Sequence, residues 1–447
     1  MRSKLGFSAI AALILILCLL SGIAQAQERD LLELYRLAKA KDPSVSRAEA
    51  RLEAGKADKE IAWSALHPRI SANGSLRHFW HEVLDYPGAV DPIKGEYAGY
   101  SYGAGATQWI FNMPAYYQIT AAGSGISSAE SGAQAERQDL IVRLFNAYIL
   151  FLKAKADEKL YQDELSRVTK ILDQSEAFLK AGTGDIIAVY EAKAHMDSAA
   201  ADLVKTQGQL RLAQQNLAGL SGVTVDDVKD IAVNKSSGPM PAELEWWLDT
   251  MRKNNPALLQ AGYDLTNAEE SRKSAYAGHL PTIQGYGGYT VDKGSTFLPT
   301  VATNQWYVGI GINVPIYSGG ENVARTRRAL AGEAERRAML DGAQDQAVRR
   351  LKEAYLNLQY NHSLVEAYQR KQESADLQLK AVQKGRAIGT RTAIDLLTSE
   401  QSYAISRRDL TAALYDNVLR RMELKSAAGI LSEDDLAAAS GSLPAAQ

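Results

Sequence analysis

Two stretches, 113–180 and 319–386, set the terms for the rest of the chain. Each runs for about 68 residues in a helical pattern, and the only proline in either is Pro114, in the first turn of the first stretch. Apolar positions such as Ile141, Phe145, Tyr148 and Leu152, or Leu165, Val168 and Leu172, alternate steps of three and four, the spacing of a coiled-coil seam. At 1.5 Å per residue such a helix extends for about 100 Å. No single globular core can swallow a segment that long. Length alone suggests two or three domains, and this pattern overrides that expectation.

The remainder falls into two matching halves. Asp42-Pro43 corresponds to Asn255-Pro256 and His67-Pro68 to Leu280-Pro281, each pair 213 residues apart. In each half a short amphipathic helix (Leu31 to Lys41; Leu244 to Lys253) meets an X-Pro boundary. A helix of about two dozen residues follows and ends at the second proline.

The period then changes from 3.6 to 2. Ile70, Ala72, Gly74, Leu76 and Trp80 alternate with Ser71, Asn73, Ser75, Arg77 and His81, and Tyr100, Tyr102, Ala104 and Ala106 with Ser101, Gly103, Gly105 and Thr107. In the second half Trp306, Val308, Ile310, Ile312 and Val314 oppose Gln305, Tyr307, Gly309, Gly311 and Asn313; Ile283, Gly285, Gly287, Tyr289 and Val291 repeat the pattern weakly. One apolar face and one small, polar face suits a membrane barrel strand with lipid outside and water inside. A half-buried soluble sheet alternates in the same way. Four strands cannot close a barrel, since about eight is the practical minimum, so membrane-spanning strands would require oligomerisation.

Each long helix reverses at a glycine turn. The second, Gly389-Thr390-Arg391-Thr392-Ala393-Ile394-Asp395, pairs a glycine able to end a helix with a Thr392–Asp395 capping box, although Glu or Gln is the usual partner there. A weaker copy lies about 207 residues earlier at Gly182-Thr183-Gly184-Asp185. The expected organisation is a signal peptide over 1–26, a first repeat over 27–222 and a linker over 223–241. A second repeat over 242–431 and a flexible tail over 432–447 complete it. In the first repeat, strands are expected near 69–83 and 98–112, the long helix over 113–180 and a helix over 186–221; in the second, strands near 282–292 and 304–317, then helices over 319–386 and 392–430.

The signal peptide rests on Arg2 and Lys4, the apolar run Ile10 to Leu20, and the small-residue site Ala24-Gln25-Ala26. The only cysteine, Cys18, lies inside it, so the mature chain has no thiol or disulfide. A net charge of −2 offers no basic footprint for nucleic acid. There is no Walker sequence, no G-x-S-x-G and no H-E-x-x-H, hence no enzyme motif. His78 and His81 fall on opposite strand faces and make poor joint metal ligands; no cofactor is expected. Trp80 and Trp306 are placed as interface-belt aromatics.

Gly278-His279-Leu280-Pro281-Thr282, Val314-Pro315-Ile316-Tyr317-Ser318-Gly319-Gly320, Ile388-Gly389-Thr390-Arg391-Thr392 and Lys425-Ser426-Ala427-Ala428-Gly429-Ile430-Leu431 together resemble the TolC-type outer membrane efflux proteins, over nearly all the mature length. Asp30-Leu31-Leu32 to Asp42-Pro43 resembles the start of the type I secretion branch. The resemblance implies an α+β membrane protein, a homotrimer whose twelve strands form one shared barrel in outer membrane lipid, continued by an α-helical periplasmic tunnel. It also implies a periplasmic adaptor and an inner-membrane ABC or RND transporter as partners, for protein secretion or multidrug efflux. At the tunnel entrance it implies an acidic ring at Asp395, with Thr398 where close relatives carry a second acid. Arg391 matches a residue that ties neighbouring coils shut. Its usual partners fall on Ile187 and Ala188, which cannot accept a side-chain hydrogen bond, and the usual aromatic partner falls on Arg386. Asp185 is the substitute candidate for pairing with Arg391 or Arg386, and also a good helix N-cap. A secreted coiled-coil structural or adhesive protein with a small soluble sheet is the other reading the residues allow.

Overall fold

A computed structural model describes residues 28–83, 93–231, 242–294 and 301–441 of the chain. The signal-peptide segment, loop residues 84–92 and 295–300, and 232–241 of the linker lie outside the described residues. The first half runs α1 (Leu31–Lys41), α2 (Pro43–Ser64), β1 (Arg69–Val83), β2 (Ile93–Phe111), α3 (Met113–Lys180) and α4 (Ile186–Ser221). The second runs α5 (Leu244–Asn254), α6 (Pro256–Ala277), β3 (Thr282–Lys293), β4 (Ala302–Asn313), α7 (Glu321–Ala387) and α8 (Ala393–Ala428), followed by α9 (Glu433–Ala439).

Local chemistry explains the boundaries. Pro43 and Pro256 hold the preceding residues, Asp42 and Asn255, in extended backbone, so α1 and α5 stop there. Each proline then opens the next helix, where its missing N–H costs nothing. Asp42 Oδ1 accepts the amides of Ser44 (2.9 Å) and Val45 (3.1 Å) and caps α2. Gly429, with φ of 80°, closes α8 in the left-handed conformation. A Cβ there would run into the Asn254–Asn255 backbone, so close approach as well as φ demands glycine.

Several boundaries differ from the sequence expectation, three of them for a readable reason. Strand β4 ends at Asn313 rather than 317, because Pro315 has no amide to donate to a ladder. Gly319 and Gly320, at φ of 61° and 85°, turn the chain so that α7 begins at Glu321. Strand β2 begins at Ile93 rather than 98, because its ladder with β1 runs on to Val83↔Ile93. The expected flexible tail is in part a helix: α9 has a Ser432–Asp435 capping box, and Leu436 is fully buried. Ion pairs Lys39–Glu433 (2.7 Å) and Lys425–Asp435 fix its acidic first turn, charge that composition alone reads as solvated.

The chain divides into two compact units, each drawn from both halves. The first holds 1–47, 134–256 and 345–447. Its main core joins Leu31, Leu34 and Tyr35 of α1 to Leu140, Leu144, Phe145, Tyr148 and Phe151 of α3, with Leu217, Met422 and Leu436. The linker's described start is built into this core: Val225, Val228 and Ile231 are buried, Arg29 bridges Val228, and the Tyr148 hydroxyl donates to the Lys229 carbonyl. A buried Asn417–Asn361 hydrogen bond (3.0 Å) joins α8 to α7, a polar pair that fixes helix register. The second unit holds 48–133 and 257–344, with the sheet in it. The sheet is antiparallel in the order β1-β2-β3-β4, so among the described residues β1 and β4 each keep an unpaired edge. Among the described residues no helix is long and apolar enough to cross a membrane.

Candidate functional site: the hairpin tips and the two-faced sheet

The two hairpin tips are built alike. At the second, Gly389 has φ of 78°, its amide donates to Arg386 O (3.0 Å), and Thr390 N donates to Gly385 O (2.8 Å). At the first, Gly182 has φ of 71°, its amide donates to Leu179 O (3.0 Å), and Thr183 N to Phe178 O (3.0 Å). Both are Schellman closures. In each, the threonine hydroxyl adds a bond to the same carbonyl, at 3.3 Å for Thr183 and 3.0 Å for Thr390. The first tip is a weaker copy in sequence, but its backbone closure is not weaker.

The tips differ in how the next helix starts. Thr392 Oγ1 accepts the Asp395 amide (3.1 Å) while Asp395 Oδ2 accepts the Thr392 amide (3.0 Å), the capping box expected from the sequence. These Thr392 hydrogen bonds, backbone first, pull the Asp395 carboxyl below its ordinary pKa, with the nearby Arg391 charge adding to them. Asp395 is therefore fully ionised at neutral pH, and its Oδ1 has no hydrogen bond among the described residues. Thr398, one turn on, is exposed. At the first tip Asp185 Oδ1 caps α4 through the Ile187 amide (3.0 Å).

Not every predicted residue is brought together. Among the described residues of this chain, Asp185 makes no ion pair with Arg391 or Arg386. The Arg386 Nη1 is buried without a hydrogen bond, and Ile187 is 57 % exposed. What the sequence did not reveal is how the two hairpins are fastened. Leu397 of α8 sits at 2 % exposure among Val168, Ile171 and Leu172 of α3 and Val189 and Ala192 of α4. Glu400, also buried, accepts from Gln383 Nε2 of α7 (3.3 Å) and faces Arg167 Nε of α3 (3.2 Å) as an ion pair without hydrogen-bond alignment. The signal available was Leu397 and Glu400 recurring one helical turn apart after Asp395, on the face that the α8 periodicity buries.

In the sheet, one face is apolar and bare. Ile70, Leu76, Trp80, Trp306, Val308, Ile310 and Ile312 are each at least 66 % exposed, on six different levels of the ladder. Trp306 stacks at a tilt on Tyr289, centroids 4.6 Å apart, and Trp80 on His78 at 4.4 Å. His78 Nε2 meets Glu96 Oε1 at 2.5 Å, and the side chain of His81 lies outside the description. The other face carries Ser71, Gly105, Gly288 and Tyr307 in one cross-strand row and Arg69, Thr107, Tyr286 and Gly309 in the next. Among the described residues no cluster of three His, Cys, Asp or Glu side chains could hold a metal.

Comparison with known proteins bears on both features. The outer membrane protein TolC of Vibrio cholerae is 25 % identical over 416 residues, covering 91 % of this chain and 92 % of that protein. The alkaline protease secretion protein AprF of Pseudomonas aeruginosa is 24 % identical, covering 91 % and 85 %. Solved structures of the transmembrane channel CusC superpose with a TM-score of 0.77 at 19 % identity, over 90 % of this chain and 92 % of that one. The open state of the MtrE outer membrane channel of Neisseria gonorrhoeae gives 0.75 at 20 % identity, over 91 % and 90 %. The fold is thus that of the TolC-type channels. The model of the outer membrane efflux protein family matches twice, at residues 34–223 and 247–430, once in each half and together over most of the sequence: the chain belongs to the outer membrane efflux protein family.

Proposed function

We propose that this chain is the outer-membrane exit duct of a tripartite export system, a passive conduit for secreted proteins or expelled small compounds. Three copies would contribute four strands each to one twelve-stranded barrel, with the helical hairpins continuing it as a periplasmic tunnel. The observation that carries this reading is the sheet: a bare apolar face with an unpaired edge on β1 and on β4. Exposed strand edges and an uncovered apolar face are both costly in water. Lipid and neighbouring copies remove both costs at once, since lipid-facing apolar residues opposite a polar lumen face are what a membrane barrel presents. Trp80 and Trp306 suit the membrane interface, where an amphipathic ring sits at headgroup level.

At the tips, Asp395 would form a ring of three carboxylates, single rather than double because Thr398 carries no charge. Among the described residues Arg391, Arg386 and Asp185 form no ion pair with one another within a chain; the closed-state lock would be made between copies. A double charge swap of Asp185 and Arg391 that left conductance unchanged would count against that lock. The tips would receive a periplasmic adaptor and an inner-membrane ABC or RND transporter.

Planar-bilayer recording with the purified protein tests the duct. Discrete conducting steps, together with a heat-modifiable trimer in outer-membrane fractions, are expected. A monomer confined to the soluble periplasm would sink the reading.

A further inference from the structure

The polar face of the sheet holds a pattern that strand geometry does not require. Tyr286 of β3 stands directly opposite Gly309 of β4, and Tyr307 of β4 directly opposite Gly288 of β3. A Cβ on Gly288 would lie 2.6 Å from the Tyr307 hydroxyl oxygen and 2.8 Å from its Cζ. A Cβ on Gly309 would lie 2.7 Å from both Cζ and the hydroxyl oxygen of Tyr286. The far end of each ring therefore lies over its partner's backbone rather than standing up from the sheet. Tyr307 reaches one strand further, to 3.5 Å from a Cβ on Gly105, and Tyr286 lies 3.6 Å from one on Gly311. The ring centroids are 6.3 Å apart.

Backbone conformation does not ask for glycine at these places. Gly105, Gly288, Gly309 and Gly311 all have φ outside the left-handed region, and glycine inside a strand weakens it. At Gly309 a Cβ would collide with the ring alone; at Gly288 it would also meet the Ala104 carbonyl at 2.9 Å, while at Gly105 and Gly311 the contact would be an ordinary one. Side chains in strands otherwise stand roughly perpendicular to the sheet, so a tyrosine there would project straight outward. The two rings are each about two-fifths exposed, at 43 % and 41 %, and neither hydroxyl has a hydrogen bond among the described residues.

We propose that Tyr286 and Tyr307, laid flat by Gly309 and Gly288, set the bore of the outer end of the duct and so the size of solute that passes it. The proposal rests on the reading that this face lines a water-filled lumen. In a threefold barrel an upright tyrosine appears three times at one level and narrows the lumen from three sides; a flat one leaves it wide while still covering the glycine backbone. The solute class is defined by girth, not by charge: an extended polypeptide or a neutral polymer feels the constriction alike.

Polymer exclusion from the extracellular side of the intact trimer in planar bilayers tests this, with polyethylene glycols of graded size as probes. G288A/G309A, which pushes both rings off the wall, is expected to shift the exclusion threshold to smaller polymers. Adding Y286A/Y307A is expected to restore it, and Y286A/Y307A alone to leave it near the wild-type value. An unchanged threshold in G288A/G309A, or no restoration in the quadruple variant, overturns the proposal. So does a large widening in Y286A/Y307A alone, which would mean the rings already project. That variant carries the test should G288A/G309A fail to form the heat-modifiable trimer. A wild-type protein that passes no ions removes the duct reading, and this inference with it; a conducting wild type with unresponsive glycine variants removes the inference only.

Discussion

Asp395 shows how much one residue's neighbours decide. Its Oδ2 is held by the Thr392 amide and its Oδ1 has no hydrogen bond among the described residues, so the cap leaves one oxygen of the carboxylate available for the proposed ring. Asp395→Asn keeps a side-chain oxygen for the cap and removes the charge. It should leave assembly intact and abolish block of the channel by multivalent cations added from the periplasmic side; undiminished block refutes the ring. Thr392→Ala, in contrast, should cost about 1 kcal/mol of hairpin stability through the lost cap. Asp42 carries the opposite lesson about pH. Burial works against its charge, but hydrogen bonds from Ser44, Arg143 (3.0 Å) and the Val45 amide outweigh it and hold its pKa at about 2, against 3.8 for an ordinary aspartate. Because the folded pKa is the lower one, the stabilisation is complete above pH 4 and drains away as pH falls toward 2. At 1.36 kcal/mol per unit the shift is worth roughly 2 kcal/mol. Asp42→Asn should lower thermal stability at neutral pH and show no difference from the wild type near pH 2, as followed by helical circular dichroism.

At the scale of the element, what the sequence reveals is what neighbours along the chain decide. The capping box, the glycine closures and the X-Pro stops are all settled within six residues, and each is readable from residue type. The long helices are readable because proline is absent where it would break them. Contacts between elements are not readable in the same way. The α8 periodicity puts Leu397 and Glu400 on a buried face but does not say which elements cover it: the α3–α4 seam for Leu397, and Arg167 and Gln383 beside Glu400. Leu397→Ala should destabilise the joined hairpins by about 2–5 kcal/mol, the usual cost of emptying a buried leucine site. Hydrogen exchange should locate the loss at 168–172 and 189–192; protection unchanged there would show that the tips are fastened elsewhere. The seam also holds Glu164, whose pKa is raised by burial, with Asp202 and Glu400 adding to the shift and Arg167 opposing it. Its penalty grows as pH rises through the folded value, so Glu164→Gln should stabilise the hairpins at neutral pH and not at acid pH.

For the whole molecule, the two-faced strands were legible because alternation survives in any register, and register was not. The Tyr–Gly pairs exist only once Tyr286 is known to oppose Gly309 rather than its neighbour. The region after Leu431 departs from its composition for a related reason: Ser432 to Gly441 is acidic and rich in small residues, while the apolar partner of Leu436 lies at the other end of the chain. Removing residues from 432 onward should take away Leu436 and both ion pairs of α9, make the core around Leu31 and Tyr148 protease-sensitive, and lower the yield of trimer. A truncated chain as resistant as the full one would show that α9 adds nothing to that core.

That helix also sets a clock. Leu436 follows Leu31 by 405 residues, yet both belong to one core. A chain delivered across a membrane N-terminus first exposes the Leu31 side of this core long before the piece that closes it arrives. Until then that part of the core stays open, the kind of transiently exposed apolar surface that invites aggregation, and it closes only when α9 docks. Closure of the core therefore waits on the last helix to be delivered, and a chain cut short before Leu436 would leave it open.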